Sequence, residues 1–182
     1  TLDAGRVGVE LRQLGRKRPA PGMREPAAPA IPNTALRWSA TLPTNLHRAA
    51  PVVAGDRVLF SLGDNRPLER AGVVALDRGT GRELWTYPTG SAVKNSVGLG
   101  EGHAADAGAL AGSGFIAEVT GRLHRFDLES GRREWDVALP YFPDRYLYMT
   151  PRVTAAGVYV TQHKGSYAFA PTDGKLLWRT GP

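Results

Sequence analysis

Asp77-Arg78-Gly79-Thr80-Gly81-Arg82-Glu83-Leu84-Trp85 returns as Asp127-Leu128-Glu129-Ser130-Gly131-Arg132-Arg133-Glu134-Trp135, and both read D-x-x-x-G-x-x-x-W. A third copy, Ala170-Pro171-Thr172-Asp173-Gly174-Lys175-Leu176-Leu177-Trp178, keeps the Gly and the Trp but has Ala at the place of the Asp. Together with Trp38 these are all the tryptophans of the chain, separated by 47, 50 and 43 residues. Each part of the pattern has a physical task. The Asp accepts backbone N–H groups and folds the chain back, while Gly81, Gly131 and Gly174 supply the positive φ of a tight hairpin. The Trp opens the return strand. An aromatic at a fixed place in each repeat buries on the order of 200 Å² against the next sheet, and its indole N–H finds a carbonyl. Trp38, Trp85, Trp135 and Trp178 are therefore expected to pack between repeats and not to cage a ligand.

Repeats of this length, rich in short strands, predict a radial array of sheets. The expectation is an all-β partial propeller of about three four-stranded antiparallel blades plus one extra outer strand, Trp38–Leu42, whose own blade is absent. The blades are placed at about 49–54, 57–62, 71–77 and 82–87; at 92–98, 114–119, 122–128 and 132–138; and at 148–154, 157–162, 166–170 and 175–180. Alternation such as Gly157-Val158-Tyr159-Val160-Thr161 supports the strands. The small-residue stretch 100–114 interrupts the second blade and reads as a flexible surface loop. Three blades do not close a ring of the usual four to eight, so the chain is expected to be a piece of a longer protein or to complete its ring with a second chain. Residues 34–182 are then expected to expose apolar faces at both ends and to self-associate.

The segments Val73-Val74-Ala75-Leu76-Asp77 to Trp85, Leu123-His124-Arg125-Phe126-Asp127 to Trp135 and Ser166-Tyr167-Ala168-Phe169-Ala170 to Trp178 resemble the pyrroloquinoline-quinone-like (PQQ-like) repeat. This is the propeller of quinoprotein dehydrogenases and their non-enzymatic relatives, and the resemblance spans about residues 36 to 180. It implies a tryptophan-docking propeller, a bacterial source and an extracytoplasmic location. Function is not implied as sharply, because one fold hosts enzymes, assembly factors and sensors.

The net charge of +6 suggests nucleic acid until it is located. Residues 1–48 carry eight Lys and Arg against three Asp and Glu, a net +5, so the blades are almost neutral. Residues 1–33 form a basic leader with Arg16-Lys17-Arg18, followed by a Pro/Ala run that reads as an extended linker. No nucleic-acid partner is expected. No apolar run approaches the roughly 20 residues of a membrane helix. A first residue of Thr suggests that a native start lies upstream.

The chain has no cysteine, which removes disulfides, thiolate metal sites and thiol catalysis. His47, His103, His124 and His163 show no metal-ligand spacing, and His124 reads as a surface or half-buried strand residue. No nucleophile elbow or phosphate loop is present, so no catalytic residue and no metal ligand is assigned. The place to look is the funnel mouth, where the connection from one blade's outer strand reaches the next blade's inner strand. Aligning Ala50-Pro51, Ser96-Val97 and Thr150-Pro151 puts Arg48, Lys94 and Tyr148 at equivalent positions, with Asn45, His47, Asn95, Arg145, Tyr146 and His163 nearby. Cations converging on a partly dehydrated mouth concentrate anions.

Two readings follow. In the first, these blades belong to a non-catalytic propeller, a sensor or scaffold that binds an anionic small ligand or a protein and needs no cofactor. In the alternative they are part of a dehydrogenase that uses pyrroloquinoline quinone with calcium. The resemblance implies a vicinal disulfide and calcium-binding carboxylates for that enzyme, and the disulfide has no cysteines here.

Overall fold

The computed structural model describes residues 36–42, 44, 46, 49–63, 71–100, 110–140, 148–162 and 165–181. The chain divides into two units, Thr1–Ala35 and Leu36–Pro182, and every described residue belongs to the second. The leader and linker assigned to residues 1–33, and most of the loop between the strands of the second blade, lie outside the described residues.

Three four-stranded sheets follow one another, each wound in sequence order. The first holds β1 (Val52–Ala54), β2 (Arg57–Gly63), β3 (Ala71–Asp77) and β4 (Glu83–Pro88). The second holds β5 (Gly98–Leu99), β6 (Ser113–Ala117), β7 (Arg122–Asp127) and β8 (Arg133–Ala138). The third holds β9 (Arg152–Thr154), β10 (Gly157–Gln162), β11 (Gly165–Phe169) and β12 (Leu176–Thr180). All pairings are antiparallel, so the all-β arc of three blades read from the repeats is the observed fold.

Register is the same in each blade. Trp85 lies opposite Ala75, Trp135 opposite Arg125 and Trp178 opposite Ala168, and each sheet has a register shift immediately after that pair. The turn before each Trp is held by two backbone bonds. Asp77 N–H donates to the Arg82 carbonyl and Gly81 N–H to that of Asp77, with equivalent pairs at Asp127 and Ala170. In the first two turns the Asp side chain adds to them: Asp77 Oδ1 accepts from Gly79 N–H at 3.0 Å and Thr80 N–H at 2.7 Å, and Asp127 Oδ1 from Ser130 N–H at 2.7 Å. Ala170 offers no such acceptor, yet its turn keeps the backbone pair and Asp173 accepts from Lys175 N–H at 3.0 Å. The Asp reinforces a turn whose geometry the glycine permits.

Each of three tryptophans packs onto the glycine of the following turn. Gly131 has φ +69°, and a Cβ there would lie 2.7 Å from the Trp85 indole; Gly174, at φ +72°, stands likewise 2.9 Å from Trp135. The indole N–H then reaches the carbonyl three residues before the glycine: Trp85 to Leu128 at 3.2 Å and Trp135 to Pro171 at 3.0 Å. Both rings are half-buried, each edge-on to a phenylalanine of the second blade, Phe126 and Phe115 respectively.

Alternation along the strands sorts the core between the blades. Leu59, Val73, Ala75 and Tyr87 of the first blade meet Ile116, Phe126 and Leu128 of the second. On the far side of the second blade, Phe115, Ala117 and Leu123 meet Val158, Val160, Tyr167 and Phe169 of the third. At 25 cal/mol per Å² this burial is the main favourable term holding adjacent sheets together.

Two strand assignments differ from expectation. Trp38–Leu42 is not a strand, because no neighbouring sheet offers it a ladder; Trp38 still packs on Gly81, and Trp38 and Leu42 cover Leu62, Val74 and Leu76. The inner strands are also shorter. In the second blade 92–98 shrinks to Gly98–Leu99, since the preceding residues bridge two blades: Val93 N–H donates to the Leu62 carbonyl at 3.1 Å, and the Ala92 carbonyl accepts from Val119 N–H at 2.9 Å.

Candidate functional site

In an antiparallel blade the connection leaving the outer strand and the turn between the second and third strands of the next blade lie on the same side. The β4–β5 connection and the β6–β7 turn therefore meet at the mouth. They are joined by a buried carboxylate. Glu118 Oε1 accepts from Gly90 N–H at 3.0 Å and lies 2.9 Å from His124 Nε2, while Oε2 accepts from the hydroxyls of Ser91 and Thr120, both at 2.9 Å. On its other edge His124 Nδ1 stands 2.9 Å from the Tyr87 hydroxyl of the first blade. His124 thus joins Glu118 to the Tyr87 hydroxyl through its two ring nitrogens.

Burial raises the Glu118 pKa, but hydrogen bonds from His124 and Ser91, the charge of His124 and the Gly90 amide outweigh it and hold the group at about 2. Burial, helped by Asp136 and Glu118 and opposed by Arg133, pushes the Tyr87 phenol up to about 12. Each group is thus kept in the protonation state that its bonds require. With four donors on its two oxygens, Glu118 has no lone pair directed at a ligand, and the cluster works as a clasp between blades. His124 is buried, contrary to the surface or half-buried placement read from the strand pattern, because the sheet of the first blade covers that face.

The sequence alignment of the mouth is reproduced as a ladder around the axis. Ala50 N–H donates to Ser96 Oγ at 2.9 Å, and Ser96 N–H in turn to Thr150 Oγ1 at 3.1 Å. Positions 50, 96 and 150 are thus successive neighbours from blade to blade. A groove of about 360 Å³ runs along the inner strands, lined by Val52, Val97, Leu99, Pro151 and Arg152.

Of the residues assigned to the mouth, Lys94 is half-buried and Tyr148 is exposed. Asn95 is a framework residue: it is buried, its amide donates to the Ala117 carbonyl at 2.6 Å, and its Oδ1 accepts Ala117 N–H at 3.3 Å. Its side chain takes the place of a strand rung. Asn45, His47, Arg48, Arg145, Tyr146 and His163 lie outside the described residues. Sequence reasoning missed Tyr87, Ser91, Glu118 and Thr120. One signal was available, the single charge ending the apolar run Phe115-Ile116-Ala117 before Val119.

Residues 69–181 match the family model described as outer membrane protein assembly factor BamB. The chain belongs to this family. Solved structures share the propeller fold of the BamB family at low identity. BamB from Moraxella catarrhalis is 14% identical with a TM-score of 0.56, covering 76% of this chain and 36% of that one. The quinohemoprotein alcohol dehydrogenase ADHIIG from Pseudomonas putida HK5 is 21% identical with a TM-score of 0.59, covering 79% and 22%. That of Comamonas testosteroni is 20% identical with a TM-score of 0.59, covering 76% and 21%. The chain thus spans about a third or less of the length of these structures. Among curated proteins none matches it.

Proposed function

We propose that these blades form part of a non-catalytic, extracytoplasmic PQQ-like propeller. Its mouth binds an anionic ligand or an acidic segment of a partner protein, and further blades or a second chain complete the ring. The observation that supports this reading is the hydroxyl–amide ladder through Ala50, Ser96 and Thr150, each two residues beyond one of the sequence-aligned positions 48, 94 and 148. Positive side chains repeated at one height around a funnel attract anions before contact and hold them where water is partly excluded. The Pro-rich stretch 19–33 tethers the propeller as the sensor or scaffold module of a longer protein.

The residues present do not fit pyrroloquinoline quinone with calcium. No group of three or more His, Asp or Glu able to hold a metal occurs among the described residues. Both oxygens of Glu118 are occupied by the clasp, and the chain has no cysteine for a vicinal disulfide.

The test is titration of a fluorescent polyglutamate peptide into the 182-residue chain. Binding should weaken as salt rises, and Arg48→Ala with Lys94→Ala should weaken it about tenfold, or 1.4 kcal/mol, with folding unchanged. Binding indifferent to the double substitution would move the site away from this mouth. Quinone-dependent dye reduction by the chain supplied with quinone and calcium would overturn the non-catalytic reading.

A further inference from the structure

Two arginines bridge neighbouring blades, and they differ in how their donors are used. Arg125, between the second and third blades, directs Nε to Ser113 Oγ at 3.1 Å and to Glu134, and donates through Nη1 to the Pro171 carbonyl at 2.8 Å. Arg57, at the start of β2, pairs through Nη1 with Asp56 and through Nη2 with Glu129 of the second blade at 2.6 Å. Its side chain is only 15% exposed, and its Nε is buried with no acceptor among the described residues. A buried N–H without an acceptor is costly and rare, and it points to a group that meets it.

Arg57 and Glu129 line a cavity of about 260 Å³ between the first two blades. It lies on the side opposite the mouth, where the turns after the first and third strands of a blade come together: Arg78 N–H donates to the Asp56 carbonyl and Leu128 N–H to that of Gly112, both at 2.7 Å. Ala54, Leu110, Ala111 and Leu128 supply aliphatic wall, and Ser113, also in the lining, is engaged by Arg125. Gly55 and Gly112 edge the cavity at φ +60° and +81°, with nothing within 4 Å of where a Cβ would stand. All these residues belong to the first two blades, whose facing sheets share one core, so the cavity does not depend on blades further round the ring.

We propose that this cavity binds a free aliphatic α-amino acid. Its carboxylate accepts from Arg57 Nε–H, its ammonium donates to Glu129, and its side chain lies against Leu110, Leu128 and Ala111. Charge selects this class. Asp56 and Glu129 already set two carboxylates against one guanidinium, so a lone carboxylate would enter beside excess negative charge, and a lone amine would leave Nε unmet. A zwitterion answers both demands with its two charges one carbon apart. The end of a peptide carries only one of them. A small aliphatic pocket with a few convergent polar groups is the ordinary form of such a site.

Calorimetric titration of L-leucine into the 182-residue chain tests this. L-Leucine should bind saturably at one site. Isocaproate, which lacks the ammonium, and isoamylamine, which lacks the carboxylate, should each bind about tenfold more weakly or worse. Arg57→Lys keeps the positive charge but loses the Nε–H, and should weaken L-leucine about tenfold. Glu129→Gln should weaken L-leucine and isoamylamine yet strengthen isocaproate, a reversal that a merely structural role does not produce. Ala111→Phe, at an exposed position of the wall, should abolish binding of all three with the urea midpoint unchanged. If circular dichroism shows that Arg57→Lys does not fold, the substitutions at the exposed Glu129 and Ala111 still decide. The proposal fails if L-leucine shows no saturable binding, if it binds no better than isocaproate, or if folded Arg57→Lys binds it unchanged. It also fails if Glu129→Gln shifts all three molecules alike.

Discussion

Between the first and second blades Tyr87 reaches across to His124; between the second and third, the equivalent positions hold Val137 and Tyr167 in an apolar cluster. The first interface adds the Glu118 clasp at the mouth. The second adds Arg125, buried at a position that is Ala in the other two blades, where it pairs with Glu134, bonds Ser113 Oγ at 3.1 Å and donates to the Pro171 carbonyl of the third blade at 2.8 Å. What does not vary is the Trp on its glycine turn. That contact uses an indole and a backbone, so it survives any change in neighbouring side chains. The row beside it is free to be polar or apolar provided each buried polar group finds a partner. The outward face of the third blade extends the comparison. Where the first two blades carry Ser61, Val73, Tyr87 and Ala117, Leu123, Val137, the third has Thr161, Ser166 and Thr180, two of whose hydroxyls meet at 3.2 Å. That row is polar, while Leu176, Leu177 and Trp178 of the same blade are exposed; at the other end Trp38 and Leu42 lie over the first blade.

The largest contrast should come from one substitution made at two sites. Trp135→Ala empties a half-buried place between two blades and should cost about 3 kcal/mol in urea unfolding, whereas Trp178→Ala on the open face should cost less than about 0.5 kcal/mol. Equal costs would mean that the indoles act within their own blades and not between them. Next comes the polar interface. The Glu118 pKa is lowered from its ordinary 4.5 to about 2, so its stabilisation is fully present above 4.5 and is lost as pH falls towards 2. At 1.36 kcal/mol per pH unit this is about 3 kcal/mol, and Glu118→Gln should flatten that part of the stability–pH curve. A curve of unchanged slope would place the acid sensitivity elsewhere. The smallest effect belongs to the turn. Partial burial raises the Asp127 pKa, but the Ser130 hydroxyl and amide bring it below the ordinary carboxylate value. Because Ala170 serves in the same place, Asp127→Ala should cost no more than about 1 kcal/mol. A larger loss would show that the third turn has a support the second lacks.

Much of this was legible before the fold. The spacing of the tryptophans and the D-x-x-x-G frame located nine of the twelve strands closely, since hairpins and alternation are local. The inner strands were overdrawn because their residues bond to neighbouring blades, as Asn95 does to Ala117, and that has no period in the sequence. The clasp was missed for a related reason: Tyr87, Ser91, Glu118 and His124 come from two blades, and none is unusual where it stands in the chain.

The sequence by itself determined the repeat and its turns, because these depend on contacts within about ten residues and on a glycine that tolerates positive φ; the recurrence of a Trp at one place in each repeat determined its packing role, though its contacts are with the next blade. It also determined the alignment of positions 50, 96 and 150. Only the tertiary structure decided that Glu118 and His124 are buried partners, that Asn95 is framework, and that Trp38 covers Gly81 while Trp178 stands open. Those outcomes depend on which sheet face meets which, and a face acquires its partner only when the blades stack.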